Sequence, residues 1–361
     1  MEWLNEYAFK AEENIDANPS LAKRVYTRLA QRLIENGTGA VLLFGTIEED
    51  TKPSYVEPSA KASLSAAASF VDKCLALSQD LPPHERLVEP VLTPRFVPTC
   101  SDKLLEGLGQ LSESRQLRVQ SHMAEAHDQV AWVMSERGVH DMEVFERSGL
   151  LTPRTVQAHC TFLDTPSLAH VAKRGTSVAH CPLSNTYFSA EPFRLREALQ
   201  GGVKVGLGTD IAGGYAIDIM SSMRHAVAVS RMREGSKISR KPYVSMTSER
   251  AEDDIGGALS IDWKEALYMA TRGGALALSL HKGSGAFTVG APFDAQHICL
   301  ADQHTGLGVG PMDFLTEESN VMDEWVLSAG VLEKWWCLGD VRNRAGMWVQ
   351  GRKISPVPGL K

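Results

Sequence analysis

With 361 residues, 43% of them hydrophobic, the chain is long enough for one large domain with an appendage, or two domains, around a sizeable core, and is not a disordered protein. Its 37 basic against 44 acidic residues give a net charge of -7 with no basic block, which excludes a nucleic-acid partner and makes a neutral small molecule the natural ligand. Six scattered cysteines, an acidic N-terminus without an apolar signal core, and no apolar run near the roughly 18 to 20 residues of a membrane helix lead us to expect a soluble cytoplasmic protein with free thiols and no membrane partner.

In chain order, Leu21, Val25, Leu29 and Leu33 recur along one face and predict an amphipathic helix over 21–35, stopped by Asn36-Gly37. An apolar strand is expected over 39–44, a helix over 60–78, and a further strand over 87–92. From Leu117 onward, short apolar strands alternate with helix-length segments, the βαβ signature of a parallel sheet. These strands are placed at 117–120, 155–158, 177–179 and 203–207, and further helices at 219–231 and 263–279. The segment 235–254 is polar and mixed in charge, a solvated loop or partly helical insertion. After Gly283 the character changes to turns and short strands, at 285–295 and again at 347–354.

Several strands lead into a histidine or an aspartate: Ser121-His122-Met123-Ala124-Glu125, Ala158-His159-Cys160, Ala179-His180-Cys181-Pro182-Leu183-Ser184-Asn185 and Gly206-Leu207-Gly208-Thr209-Asp210. Groups at the carboxyl ends of buried parallel strands point into the mouth of a barrel, where such folds place catalytic residues and metal ligands. The bland alternatives are a satisfied structural histidine at His122 or His159, and a surface ion pair for Arg95. A capping-box acid would follow Ser121 by three residues, at Ala124, so Glu125 does not fit that alternative. Gly206-x-Gly208 lacks the third glycine of a dinucleotide loop. A cytidine-deaminase type of site needs a Pro-Cys-x-x-Cys run, which the sequence does not contain.

Taken with Thr93-Pro94-Arg95-Phe96 and Asn36-Gly37-Thr38, and with Ile211-Ala212-Gly213-Gly214-Tyr215 after Asp210, the ordered set resembles the amidohydrolase superfamily and, within it, the guanine deaminases. The resemblance implies a metal-dependent TIM-type (β/α) barrel with a small β-domain, divided as 1–284 and 285–361, the latter holding the last part of the barrel and the β-domain. It implies hydrolysis of guanine to xanthine and ammonia in purine catabolism, with one zinc ion held by His122 and Asp210. Glu125 is then the proton shuttle, His159 orients water or substrate, Arg95 and Phe96 contact the purine, and Asn185 has a structural or supporting role. The alternatives are a deaminase of another ring amine, a pterin or triazine, and an inactive relative that serves as a binding or oligomerising element.

The same resemblance implies a His-x-His pair on the first strand, and none occurs among the 361 residues. The chain opens on Glu2-Trp3-Leu4-Asn5-Glu6-Tyr7, which resembles the segment after that strand. Between the second and fourth strands only one helix, 60–78, stands where two helices and a strand are needed. The expectation is a shortened chain with an incomplete barrel and β-domain, two remaining metal ligands and a weakly held zinc. Unpaired sheet edges would also favour a homo-oligomer or poor solubility.

Overall fold

The computed structural model describes residues 4–40, 56–82, 85–240, 257–280, 283–302, 304–305, 307–313 and 328–355. Five parallel strands form one sheet in chain order: β1 (Val91–Leu92), β2 (Arg118–Met123), β3 (Thr155–His159), β4 (Ser177–His180) and β5 (Lys204–Leu207). Helices Asp102–Arg115, His127–Arg137, Asp141–Arg147, Thr165–Arg174 and Leu195–Gln200 lie in the connections between successive strands. This is an α/β architecture whose parallel sheet fits a TIM-type barrel, with strands covered on both faces. β3 shows it most fully, with all of its residues buried. Among the described residues, β1 and β5 are the two edges of the sheet.

Register decides which side chains meet. Val119 pairs with Thr155 and Met123 with His159, so the ends of β2 and β3 are level, while His180 on β4 stands beside Leu207 on β5. The core packed on this sheet is built from Leu104, Leu105, Leu108, Phe145, Leu150, Leu151 and Leu168, none exposed to solvent. The helical turn Gly274–Ala277 packs closely on β5: a Cβ on Gly206 would lie 3.1 Å from the Cα of Gly274. Two facing glycines thus set that contact distance.

Helix ends follow their sequence chemistry. Ser101 caps Asp102–Arg115 by accepting from the Leu104 amide at 3.3 Å, and Asp164 caps Thr165–Arg174 by accepting from Ser167 at 2.9 Å. Ser101→Ala should therefore cost about 1 kcal/mol, measured as a lower midpoint in denaturant unfolding with an unchanged slope.

The helix over 60–78 forms as expected, Ala60–Ser78, and the one over 21–35 begins slightly earlier, Pro19–Glu35. The strand expected over 87–92 is confined to Val91–Leu92, because Pro90 and Pro94 each remove an amide from the ladder. The helix expected over 219–231 runs on as Ile219–Arg240, and the rest of the expected insertion lies outside the described residues. So do residues 41–44 of the expected strand over 39–44. The stretch 263–279 is helical but not uniform, with Trp263–Tyr268 followed by a π-helical turn Met269–Gly273 and then Gly274–Ala277.

A second sheet is antiparallel, in the order β6 (Ala295–Ile298), β7 (Arg344–Val349), β8 (Arg352–Ser355). Gln350 and Gly351 join β7 to β8 with φ of 47 and 80, the two positive values that a tight hairpin turn matching strand twist requires. The Gln296 amide donates to the Gly37 carbonyl at 2.8 Å and ties this sheet to the end of Pro19–Glu35. No helix among the described residues is long and apolar enough to cross a membrane.

Candidate active site

The level ends of β2 and β3 bring His122 and His159 side by side, their rings stacked at 5.4 Å with an interplanar angle of 16°. Asp210, just beyond β5, approaches the same point. One ligand atom from each of His122, His159 and Asp210 lies within 4.8 Å of the others, a cluster compatible with a single metal ion. Glu125 follows β2, and its carboxylate is 3.6 Å from His159 Nε2, while Asp210 Oδ2 is 4.0 Å from that same atom.

The second ring nitrogens fix how the imidazoles face. His122 Nδ1 lies 2.6 Å from the Arg95 carbonyl oxygen. A carbonyl only accepts, so Nδ1 carries the proton and Nε2 carries the lone pair, the arrangement usual in metal-ligating histidines. His159 Nδ1 sits 2.8 Å from Asn185 Oδ1, which orients that ring in the same manner. Its Nε2 is fully buried and has no hydrogen-bond partner. A buried ring nitrogen that presents its lone pair beside two carboxylates is compatible with a cation site.

Charges in the cluster act on one another. Burial tends to raise the Asp210 carboxyl, but His159 and His122 outweigh it and hold the group below its ordinary value. Burial pushes His159 down, and Glu125, Asp210 and the Asn185 hydrogen bond bring it above the usual imidazole range. His122 is lowered, first by burial and then by the neighbouring His159. His180, on β4 and packed against Phe193 at 5.2 Å, is buried and pushed down to about 3 by burial and by His159 and His225, so it is neutral at physiological pH.

Backbone strain is concentrated here. His159, Cys160, Asp210 and Ala124 have φ of 70, 54, 48 and 46, all in the left-handed region. Each such non-glycine residue costs on the order of 1 kcal/mol or more, and such residues gather where geometry serves function. Here they turn the chain sharply at strand ends and aim the side chains across the sheet.

The expected purine-contacting pair is buried too. The Arg95 guanidinium meets the Glu12 carboxylate at 2.9 and 3.2 Å and lies 5.0 Å over the Phe9 ring, while Phe96 is 6% exposed. The Arg95 carbonyl also accepts from the His122 amide at 3.0 Å and the Ser121 hydroxyl at 3.1 Å. Of the expected site residues, His122, Glu125, His159, Asp210 and Asn185 converge directly, and Arg95 joins them through its backbone. Sequence reasoning counted two metal donors; the structure sets His159 Nε2 beside them. It missed Glu12 and Phe9, which no spacing in the chain links to Arg95.

A sequence profile described as the amidohydrolase family matches residues 1–322. The chain is similar to guanine deaminase from Homo sapiens, 32% identical over 99% of this chain and 77% of that protein, and to guanine deaminase from Mus musculus, 31% identical with the same coverage. In three dimensions it is similar to the crystal structure of guanine deaminase from C. acetobutylicum with bound guanine in the active site. That match has a TM-score of 0.78 at 28% identity and covers 98% of this chain and 80% of the other.

Proposed function

On the premise that this chain belongs to the amidohydrolase family, we propose that it hydrolyses guanine to xanthine and ammonia. The observation that carries this reading is the meeting of His122, His159, Asp210 and Glu125 at the carboxyl end of the sheet, in a chain similar throughout its length to guanine deaminases. Guanine and water are the reactants.

The donor set of two imidazoles and a carboxylate suits zinc, which in catalytic sites takes three protein ligands and one open position. His122, His159 and Asp210 would hold it, with Arg95 and Asn185 orienting the two rings. When bound, such an ion supplies a water acidic enough to be a nucleophile near neutral pH. Glu125 then does the proton work. Its carboxylate accepts the proton from the attacking water as the new C–O bond forms at the amine-bearing ring carbon. It returns that proton to the ring nitrogen, then carries the proton of the added hydroxyl to the exocyclic amine, so that the C–N bond breaks, ammonia leaves and the new C–O bond becomes a carbonyl.

The Arg95 guanidinium is suited to the adjacent ring nitrogen and carbonyl of a purine edge, with Glu12 and Phe9 fixing its plane. Phe96 supplies apolar wall. We take 1–284 as the barrel unit and 285–361 as its last part with the small β-domain, a division supported by the separate sheet β6–β8. Six unbridged cysteines support a cytoplasmic location, and the edge strands β1 and β5 support self-association.

The test is xanthine formation from guanine by the purified, zinc-supplemented chain, run beside amino-pterin and amino-triazine substrates. Activity on either of those amines with none on guanine would overturn the reading. Arg95→Ala should raise KM for guanine by about tenfold or more with a smaller change in kcat, because it removes a contact made alike in ground and transition states. Steady-state kinetics checks the split.

A further inference from the structure

Asp141 is 3% exposed, and its Oδ2 accepts two hydrogen bonds, from the Ala124 amide at 2.9 Å and from the Gln129 side-chain amide at 2.5 Å. Gln129 is itself 4% exposed, and its amide oxygen accepts the Glu125 backbone N–H at 3.3 Å. The Ser189 hydroxyl donates to the Glu125 carbonyl at 2.5 Å. Both peptide groups that set the direction of the Glu125 side chain are thus tied to side chains from other elements.

The ties act on a turn that would not hold its shape alone. Ala124 has a φ of 46, a conformation that a residue with a Cβ adopts only when its surroundings impose it. Burying a carboxylate is costly, more so here because Asp141 Oδ1 has no hydrogen-bond partner. Burial accordingly raises the Asp141 carboxyl, against the opposing hydrogen bonds of Ala124 and Gln129. An apolar side chain at the head of helix Asp141–Arg147 would fill the same space without that cost. What the carboxylate adds is an acceptor at the Ala124 amide and a partner for Gln129. Gln129 in turn must be an amide, since one end donates to Asp141 while the other accepts from Glu125.

We infer that Asp141, acting through Ala124 and Gln129, is a positioning residue that aims the Glu125 carboxylate at the reacting atoms. The inference rests on the assignment of Glu125 as proton carrier. A misplacement of about 1 Å at such a group costs on the order of 10² in rate.

The experiment compares zinc-loaded wild type, Asp141→Ala, Asp141→Asn and Gln129→Ala, with guanine kinetics, zinc content and residue-level amide exchange. In Asp141→Ala, kcat should fall by about 10², with KM and zinc content unchanged, and Asp141→Asn, which keeps an acceptor oxygen, should recover most of the loss. Exchange should speed up at Ala124 and Glu125 in Asp141→Ala and Gln129→Ala, and stay as in wild type along β3. Wild-type kcat in Asp141→Ala, or a parallel loss of zinc and protection throughout β2 and β3, would overturn the inference. If wild type leaves guanine untouched, the proposed function fails, and the exchange data still decide: selective loosening supports the positioning and unchanged exchange refutes it. Gln129→Ala carries the test should Asp141→Ala not fold.

Discussion

Glu125→Gln is expected to lower guanine turnover by about 10² to 10⁴, the range that general acid-base catalysis contributes. The amide keeps the shape of the carboxylate and its position after β2, so zinc content and guanine affinity should remain as in wild type. It has no basic oxygen for the proton of the attacking water and none to return to the ring. Pre-steady-state measurement with elemental analysis separates the steps, and near-normal turnover in a metal-replete Glu125→Gln enzyme would remove the acid-base assignment.

The largest effect on stability is expected at Arg233. Glu197, in the helix between β4 and β5, has a side chain 4% exposed and accepts from Arg233 Nη1 at 2.6 Å, while the Arg233 side chain is 17% exposed. A second contact joins Arg233 Nη2 to the other carboxylate oxygen. Removing one partner of such a pair leaves a buried charge uncompensated, and Arg233→Ala should cost about 3 kcal/mol, the low end for buried pairs because the arginine is partly solvated. The dependence on pH has a definite sign. Burial tends to raise the Glu197 carboxyl, but the Arg233 hydrogen bonds overcome it and hold the group below 4.5. The pair therefore contributes its full stability above that value and loses it as pH falls through the depressed one. In Arg233→Ala burial is opposed only by the Glu197 backbone hydrogen bond and Arg194, so the variant's deficit should shrink on acidification. Urea unfolding between about pH 7 and 3 tests both points, and a variant that tracks wild type at every pH would refute them.

What could be read from the sequence divides along physical lines. β2 to β5 were legible as short, partly apolar runs leading into His122, His159, His180 and Asp210, even though Gln120, Ser121 and Gln157 are buried within β2 and β3. Their boundaries were less so: β2 extends to Met123 and β3 to His159, since ladder pairing continues into residues that chemistry marks as functional. The long helix Ile219–Arg240 ran past the expected stop, as Gly235 costs only about 1 kcal/mol in a helix and tertiary context overrides it. The family motifs brought His122, Glu125, His159 and Asp210 to one list, but not the partners that aim them. Glu12 reaches Arg95 across 83 positions of sequence, and Asp141 reaches Ala124 across 17. Such pairs have no local period or motif. They exist because topology delivers one helix end to one strand end.

Arg95 faces two ways. Its side chain is clamped by Glu12 and Phe9, and its carbonyl oxygen receives the His122 ring. In the proposed site, recognition of the ring edge and orientation of a metal donor would therefore fall to the two ends of a single residue, joined by the rotatable bonds of its side chain. Exchanging the side chain to alter substrate choice leaves in place the carbonyl that receives His122, and Glu12 or Phe9, which hold only the guanidinium end, offer a gentler way to re-specify the proposed pocket.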